Sequence, residues 1–166
     1  MQVQKSDIIA AFKAAITEIE PRLLKIGFYM KDFTEESVND SNFYNCIFLS
    51  DQSMRVLEVA TSTRVLLGHF SIFKLRGYEK AGTPAKIDDV DTYISISDYL
   101  YKYNTADLNK LKELDADEMK PPGVTPAEYF RRFFEVVMPH LEGDLLDIVQ
   151  GKRWENVPMD WSIADR

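Results

Sequence analysis

Cys46, His69 and His140 are the residues from which a cysteine–histidine nucleophilic pair could be assembled, since the chain has one cysteine and two histidines. Such a pair needs the base within hydrogen-bond reach of the thiol. Nothing in the spacing of these three brings them together. Cys46 sits in the most apolar run of the chain, Phe43-Tyr44-Asn45-Cys46-Ile47-Phe48-Leu49, where a buried and inert thiol is expected. His140 follows Pro139 just off an apolar helical stripe and reads as a boundary or surface histidine. His69, beside Gly68, fits either a structural or a chemical role.

Other chemistries leave weaker traces. Asp88, Asp89 and Asp91 could offer oxygen ligands to a hard cation, but their spacing is not that of an EF-hand loop and no distal bidentate glutamate follows. Turn-forming, solvated aspartates are the plainer reading. Seven glycines are scattered singly, without a phosphate-cradling loop, and the nucleophile elbow and the paired-histidine metal helix are absent. No catalytic set, metal site or cofactor is therefore assigned.

The tyrosines are more suggestive. Tyr93, Tyr99, Tyr101 and Tyr103, with Tyr78 upstream, are amphipathic side chains of the kind enriched at protein interfaces. Sharing a face with Asp98 and with Asp88, Asp89 and Asp91, they would form an aromatic and acidic patch suited to a basic protein partner. The competing expectation is that they are half-buried at the margins of the sheet and helices. A rival site would be a pocket between the sheet and the 77–91 loop, using His69 or Arg76 with loop carboxylates. Arg131 and Arg132 read as solvated, or as partners of Glu128 and Glu135 one turn away.

The elements that must position these residues begin with residues 125–150. Phe130, Phe133, Phe134, Val137, Leu141, Leu145, Ile148 and Val149 recur at helical spacing. Thr125-Pro126-Ala127-Glu128 opens that helix as a capping box, with Glu128 reaching back to the N-cap amide. A first helix, capped by Ser6-Asp7, carries Ile8, Phe12, Ile16, Ile19 and Leu23 and stops at Gly27, with Phe28 closing a Schellman contact. Pro21 and Pro139 fall inside the two stripes, where each bends the helix or starts a new one.

Between them the period changes to that of strands: residues 28–33, 43–49, 54–61, 64–76 with a break at Gly68, and 92–97. The polar stretch 34–42 reads as a hairpin loop. The 77–91 stretch is the longest without regular signals, and such loops are often functional. Ser97-Asp98 favours a helix over a strand for residues 98–103, and Leu108, Leu111 and Leu114 continue helical spacing. Short connections demand antiparallel pairing. The expectation is one α+β domain over residues 1–166, with an antiparallel sheet of about four to six strands, a long N-terminal and a long C-terminal helix on one face, and a tail with Trp154 and Trp161 packed back on the body.

Composition narrows the function. At 166 residues and 45% hydrophobic the chain can bury a core of its own. A net charge of −7 with scattered basic residues disfavours nucleic acid. No apolar span of about 18 residues and no signal peptide is seen, so neither a membrane nor secretion is expected, and the lone cysteine fits the cytoplasm. The reading placed first is a non-catalytic protein-binding module: an inhibitor, immunity-type or adaptor protein. A small enzyme or ligand-binding protein is its rival.

Overall fold

Isoleucine, leucine and phenylalanine at every third or fourth position make the first helix, α1 (Lys5–Lys25), and Ile8, Phe12, Ile16, Ile19 and Leu23 are its buried stripe. The structure, a computed structural model, describes residues 3–38, 41–75, 93–115 and 123–157. α1 starts two or three residues earlier than Ser6-Asp7 implied. Gln4 is the N-cap and makes no side-chain capping bond, leaving Asp7 inside the first turn, where a negative charge favours the positive end of the helix. The stop is as expected: Phe28 N–H donates to the Leu23 carbonyl at 3.0 Å and Gly27 N–H to that of Leu24 at 3.1 Å, with Gly27 at φ 97°. The helix runs continuously through Pro21.

Five strands follow: β1 (Tyr29–Val38), β2 (Ser41–Ser50), β3 (Arg55–Ser62), β4 (Gly68–Lys74) and β5 (Tyr93–Ser95). They pair antiparallel in the order β1-β2-β3-β4-β5. The stretch expected as a hairpin loop is mostly ladder, since Thr34 faces Asn45 and Val38 faces Ser41. Its polar side chains hid it: β1 is an edge strand, and most of its outer residues are exposed. A register shift at Lys31 separates Met30↔Phe48 from Asp32↔Ile47.

Alternation gives the sheet two faces. One carries Cys46, Phe48, Leu57, Val59, Phe70, Ile72 and Ile94 into the main core; the other carries Ile47, Leu49, Val56, Phe73 and Leu75 in a second cluster with Tyr93. After β5 come α2 (Ile96–Tyr103), α3 (Thr105–Leu114), α4 (Pro126–Leu141) and the single turn α5 (Leu146–Val149). The helical reading of residues 98–103 holds.

α4 lies beside α1 and buries Tyr129, Phe130, Phe133, Phe134, Val137, Met138 and Leu141, each worth about 1.5–3 kcal/mol of transfer free energy. Phe12 ties the layers, its ring centroid 5.3 Å from that of Phe130 and 5.8 Å from that of Phe33. Thr125 Oγ1 accepts from Glu128 N–H at 3.2 Å, but the carboxylate of Glu128 pairs with Arg131 and Arg132 rather than turning back to the cap. The long C-terminal helix is shorter than its stripe. It ends at Leu141, two residues past Pro139, and a turn through Gly143 separates it from α5. Proline removes one backbone donor and glycine weakens the next turn; the apolar face continues across the break because Leu145, Ile148 and Val149 remain buried.

Residues 152–157 return along the body. Arg55, only 8% exposed, donates to the carbonyls of Ile148 at 2.9 Å and Arg153 at 3.4 Å, and its guanidinium lies 5.1 Å from the centroid of Trp154. Lys74, opposite Arg55 in the ladder, approaches the same ring at 4.8 Å. Trp161 lies outside the described residues.

Candidate functional site

Of the residues singled out for a binding patch, Tyr93 lies on β5 and Tyr99 and Tyr101 on α2. Tyr93 is half-buried on the second face of the sheet, its hydroxyl 3.4 Å from Ser71 Oγ. Tyr99 is 4% exposed on the main-core side and donates to Asp144 Oδ2 at 2.9 Å. Tyr101 is half-buried against the main core. Among the described residues these three share no exposed face. Asp88, Asp89, Asp91 and Arg76 lie outside the described residues. Among the described residues no cluster of three metal-ligating side chains occurs.

His69 sits on the second face of the sheet, its ring 6.1 Å from that of Phe43. Although the side chain is exposed, desolvation by the atoms packed around it lowers its pKa from 6.5. Cys46 is fully buried, and burial pushes its thiol up to about 12. No thiolate nucleophile is available there near neutral pH.

Asp98, at the start of α2, behaves differently. Desolvation raises its carboxyl from 3.8 to about 6, and it stands close enough to Tyr93 for both Asp98 and Glu58 to raise that phenol, after desolvation as the main cause. The folded carboxyl holds its proton more tightly than the unfolded one, so ionisation costs stability: nothing below about pH 3.8 and the full amount above about pH 6. The rise corresponds to at most about 3 kcal/mol, and solvent around a half-buried group together with its position in the first helical turn reduces this to about 1–2 kcal/mol. Asp98→Asn is therefore expected to raise stability by about 1–2 kcal/mol at pH 8 and to leave it unchanged at pH 4, as read by urea unfolding at the two pH values.

Sequence reasoning missed a buried polar cluster among the described residues. His140, 8% exposed, has Nε2 at 2.7 Å from Asp107 Oδ2 and Nδ1 at 2.9 Å from Asp144 Oδ1. Asp107 is further held by Lys110 at 3.0 Å and by Asn104, which donates through Nδ2 at 3.1 Å. The Lys110 hydrogen bond is the largest of the effects that keep the Asp107 carboxyl below the usual range. Carboxylates only accept, so the ring satisfies both when each nitrogen carries a proton. Neither nitrogen is then free to act as a base, and the set ties α3, α4 and the turn before α5 together. The only trace in the sequence is the i, i+4 spacing of His140 and Asp144.

A cleft of about 360 Å³ opens at the opposite end of α1 from its N-terminus. Lys25, Ile26 and Gly27 line it beside Leu24, with Ser50, Gln52 and Ser53 from the β2–β3 connection and Gln150 and Lys152 from the chain after α5. The three positive-φ residues among those described, Gly27, Met54 and Gly151, all lie here. Gly151 is required by close approach: a Cβ on it would stand 2.5 Å from the Ser53 carbonyl oxygen. Met54, at φ 56°, holds a left-handed conformation that costs a non-glycine residue about 1 kcal/mol.

Three large apolar side chains are exposed near this cleft. Leu24 is 56% exposed, Met54 52% and Tyr29 41%, and Tyr29 reaches the same turn by donating to Asp51 Oδ2 at 3.1 Å. A second hollow, about 500 Å³ between α3 and α4, is lined by charges of both signs, and its Arg132 is held by Glu128. Among the described residues no helix is long and apolar enough to cross a membrane. No family model, curated protein or solved structure matches this chain.

Proposed function

We propose that this chain is a non-catalytic protein-binding module that meets its partner through the end of the molecule bearing Leu24, Tyr29 and Met54. One observation carries the reading: of the four large apolar side chains that are exposed among the described residues, three lie at this end. Exposed apolar side chains scattered singly need no explanation, but a group of them within a polar rim is how contact surfaces are built. Methionine and tyrosine suit the role, the first because it adapts its shape and the second because it offers area at little rotamer cost. The turn that presents Met54 is held from below by Gly27, Gly151 and the Ser50 hydroxyl, which accepts from Ser53 N–H at 3.2 Å. The net charge of −7 supports a partner that is basic overall, drawn in at long range.

Site-specific photocrosslinking in the producing cells tests this. A benzophenone amino acid at position 54 or 24 is expected to trap one discrete partner, and the same probe at position 131, on the solvent face of α4, is expected to trap none. Leu24→Asp should abolish the product formed from position 54. Equal crosslinking from all three positions would refute the assignment.

A further inference from the structure

The cleft beneath this surface has its own chemistry. Lys25 and Lys152 stand at its rim, and among the described residues no carboxylate lines it. Lys152 has an acidic neighbour, Asp147, at 3.8 Å, too loose and exposed a pair to cancel its charge. At the floor, Ser50 is 2% exposed and Ser53 9%. Ser50 Oγ accepts from the Ser53 amide, so its own proton remains to be given. Among the described residues Ser53 Oγ is the buried side-chain oxygen without a hydrogen-bond partner. A buried hydroxyl left unpaired is costly, and a bound acceptor would relieve that cost. The amides of Gln52 and Gln150 add donors.

We propose that this cleft binds a carboxylate, the acidic side chain of an aspartate or glutamate on the docked protein. The inference rests on the docking surface proposed above, which places the cleft between Leu24 and Met54 and thus inside the contact. Two ammonium groups, two hydroxyls and two amides are a set of donors, and an anion is the ligand that uses all of them. The end of α1 does not cancel this. Its negative dipole end acts weakly at an exposed site, and the carbonyls of Leu23 and Leu24 already accept from Ile26, Gly27 and Phe28. α5 is four residues long and contributes little dipole. A carboxylate here also reconciles an acidic chain with a specific contact: the partner's general charge sets the approach, and one acidic side chain sets the register.

The test is an amide-resolved NMR titration of the full chain with two uncharged-ended peptides, acetyl-Leu-Glu-Leu-amide and acetyl-Leu-Gln-Leu-amide. With the glutamate peptide, shifts are expected at residues 24–27, 50–54 and 150–152. The glutamine peptide should bind at least roughly fivefold more weakly, because it lacks the charge that the lysines recognise. Lys25→Ala with Lys152→Ala should remove the difference between the peptides. Ser53→Ala should weaken the glutamate peptide while leaving unfolding stability equal or higher, a combination that a purely structural serine would not give. Equal binding of both peptides, or shifts spread over exposed lysines elsewhere such as Lys13 and Lys112, would overturn the carboxylate site. Crosslinking from position 54 combined with equal peptide binding would sink this inference alone; selective glutamate binding without a position-specific crosslink would sink the docking surface and leave the cleft standing.

Discussion

His140→Ala is expected to lower the unfolding free energy by about 2–3 kcal/mol at pH 7. The imidazole sits between Asp107 at 2.7 Å and Asp144 at 2.9 Å, and removing it leaves two carboxylates facing a small void. Asp107 keeps Lys110 and Asn104, and the side chain of Asp144 is 48% exposed, so water and the remaining partners hold the loss below that of a fully buried pair. The pH dependence separates this from simple loss of volume. Asp107 has a depressed pKa in the folded state, so its contribution is present above the unfolded value and is lost as pH falls through the folded one. The penalty of His140→Ala should therefore be present near neutrality, where Asp107 is ionised, and should shrink as pH falls below 3.8 through the depressed folded value of that carboxyl. Denaturant unfolding of the two proteins from pH 3 to pH 8 gives the answer, and a penalty independent of pH would mean that packing alone is lost.

Arg55→Met should cost about 2–3 kcal/mol and loosen the last described stretch of chain. Methionine preserves much of the apolar stem, so the effect isolates the guanidinium. That group is buried without a carboxylate among the hydrogen bonds it makes; it donates instead to the carbonyls of Ile148, Met54 and Arg153 and stacks on Trp154. Desolvation lowers its pKa from 12.5, but a guanidinium remains charged at any working pH. Without it three carbonyls lose a donor and the tryptophan loses one of its two cations. Trypsin cleavage after Lys152 and Arg153 should accelerate about tenfold or more, in step with the lost stability. Arg55→Lys should restore less than half of it, since one ammonium cannot span carbonyls on three segments. A variant within about 0.5 kcal/mol of the parent would show the contacts to be incidental.

The parts of this architecture that were legible in the residues are those governed by local rules. The Schellman stop at Gly27 and Phe28, the Thr125 cap and the antiparallel sheet with helices on one face follow from spacing, capping chemistry and short connections. The errors fall where tertiary context overrides such rules. Residues 34–38 look like a loop because an edge strand beyond the core needs no apolar face, and the C-terminal stripe looks like one helix because its buried face survives the break at Gly143. The site was far less legible. His140 meets Asp107 only because α3 lies against α4, and the cleft is assembled from residues near 25, 52 and 151. Nothing periodic links those positions. Met54 carries a left-handed backbone without the glycine that would have announced it.

The order of the strands has a consequence for how the chain acquires its shape. Each strand pairs with its neighbour in sequence, so the first four strands can be zipped by small loop closures, the kind that cost least entropy and proceed fastest. α1 has no such local route. It packs chiefly against α4, whose first residue lies about 100 positions after the end of α1. At about 5–20 residues per second, roughly 5–20 s of synthesis separate the two. During that interval the stripe of Phe12, Ile16 and Ile19 is without its main cover, and the stretch before α4 is made is when the nascent chain is most exposed to aggregation and most in need of a chaperone.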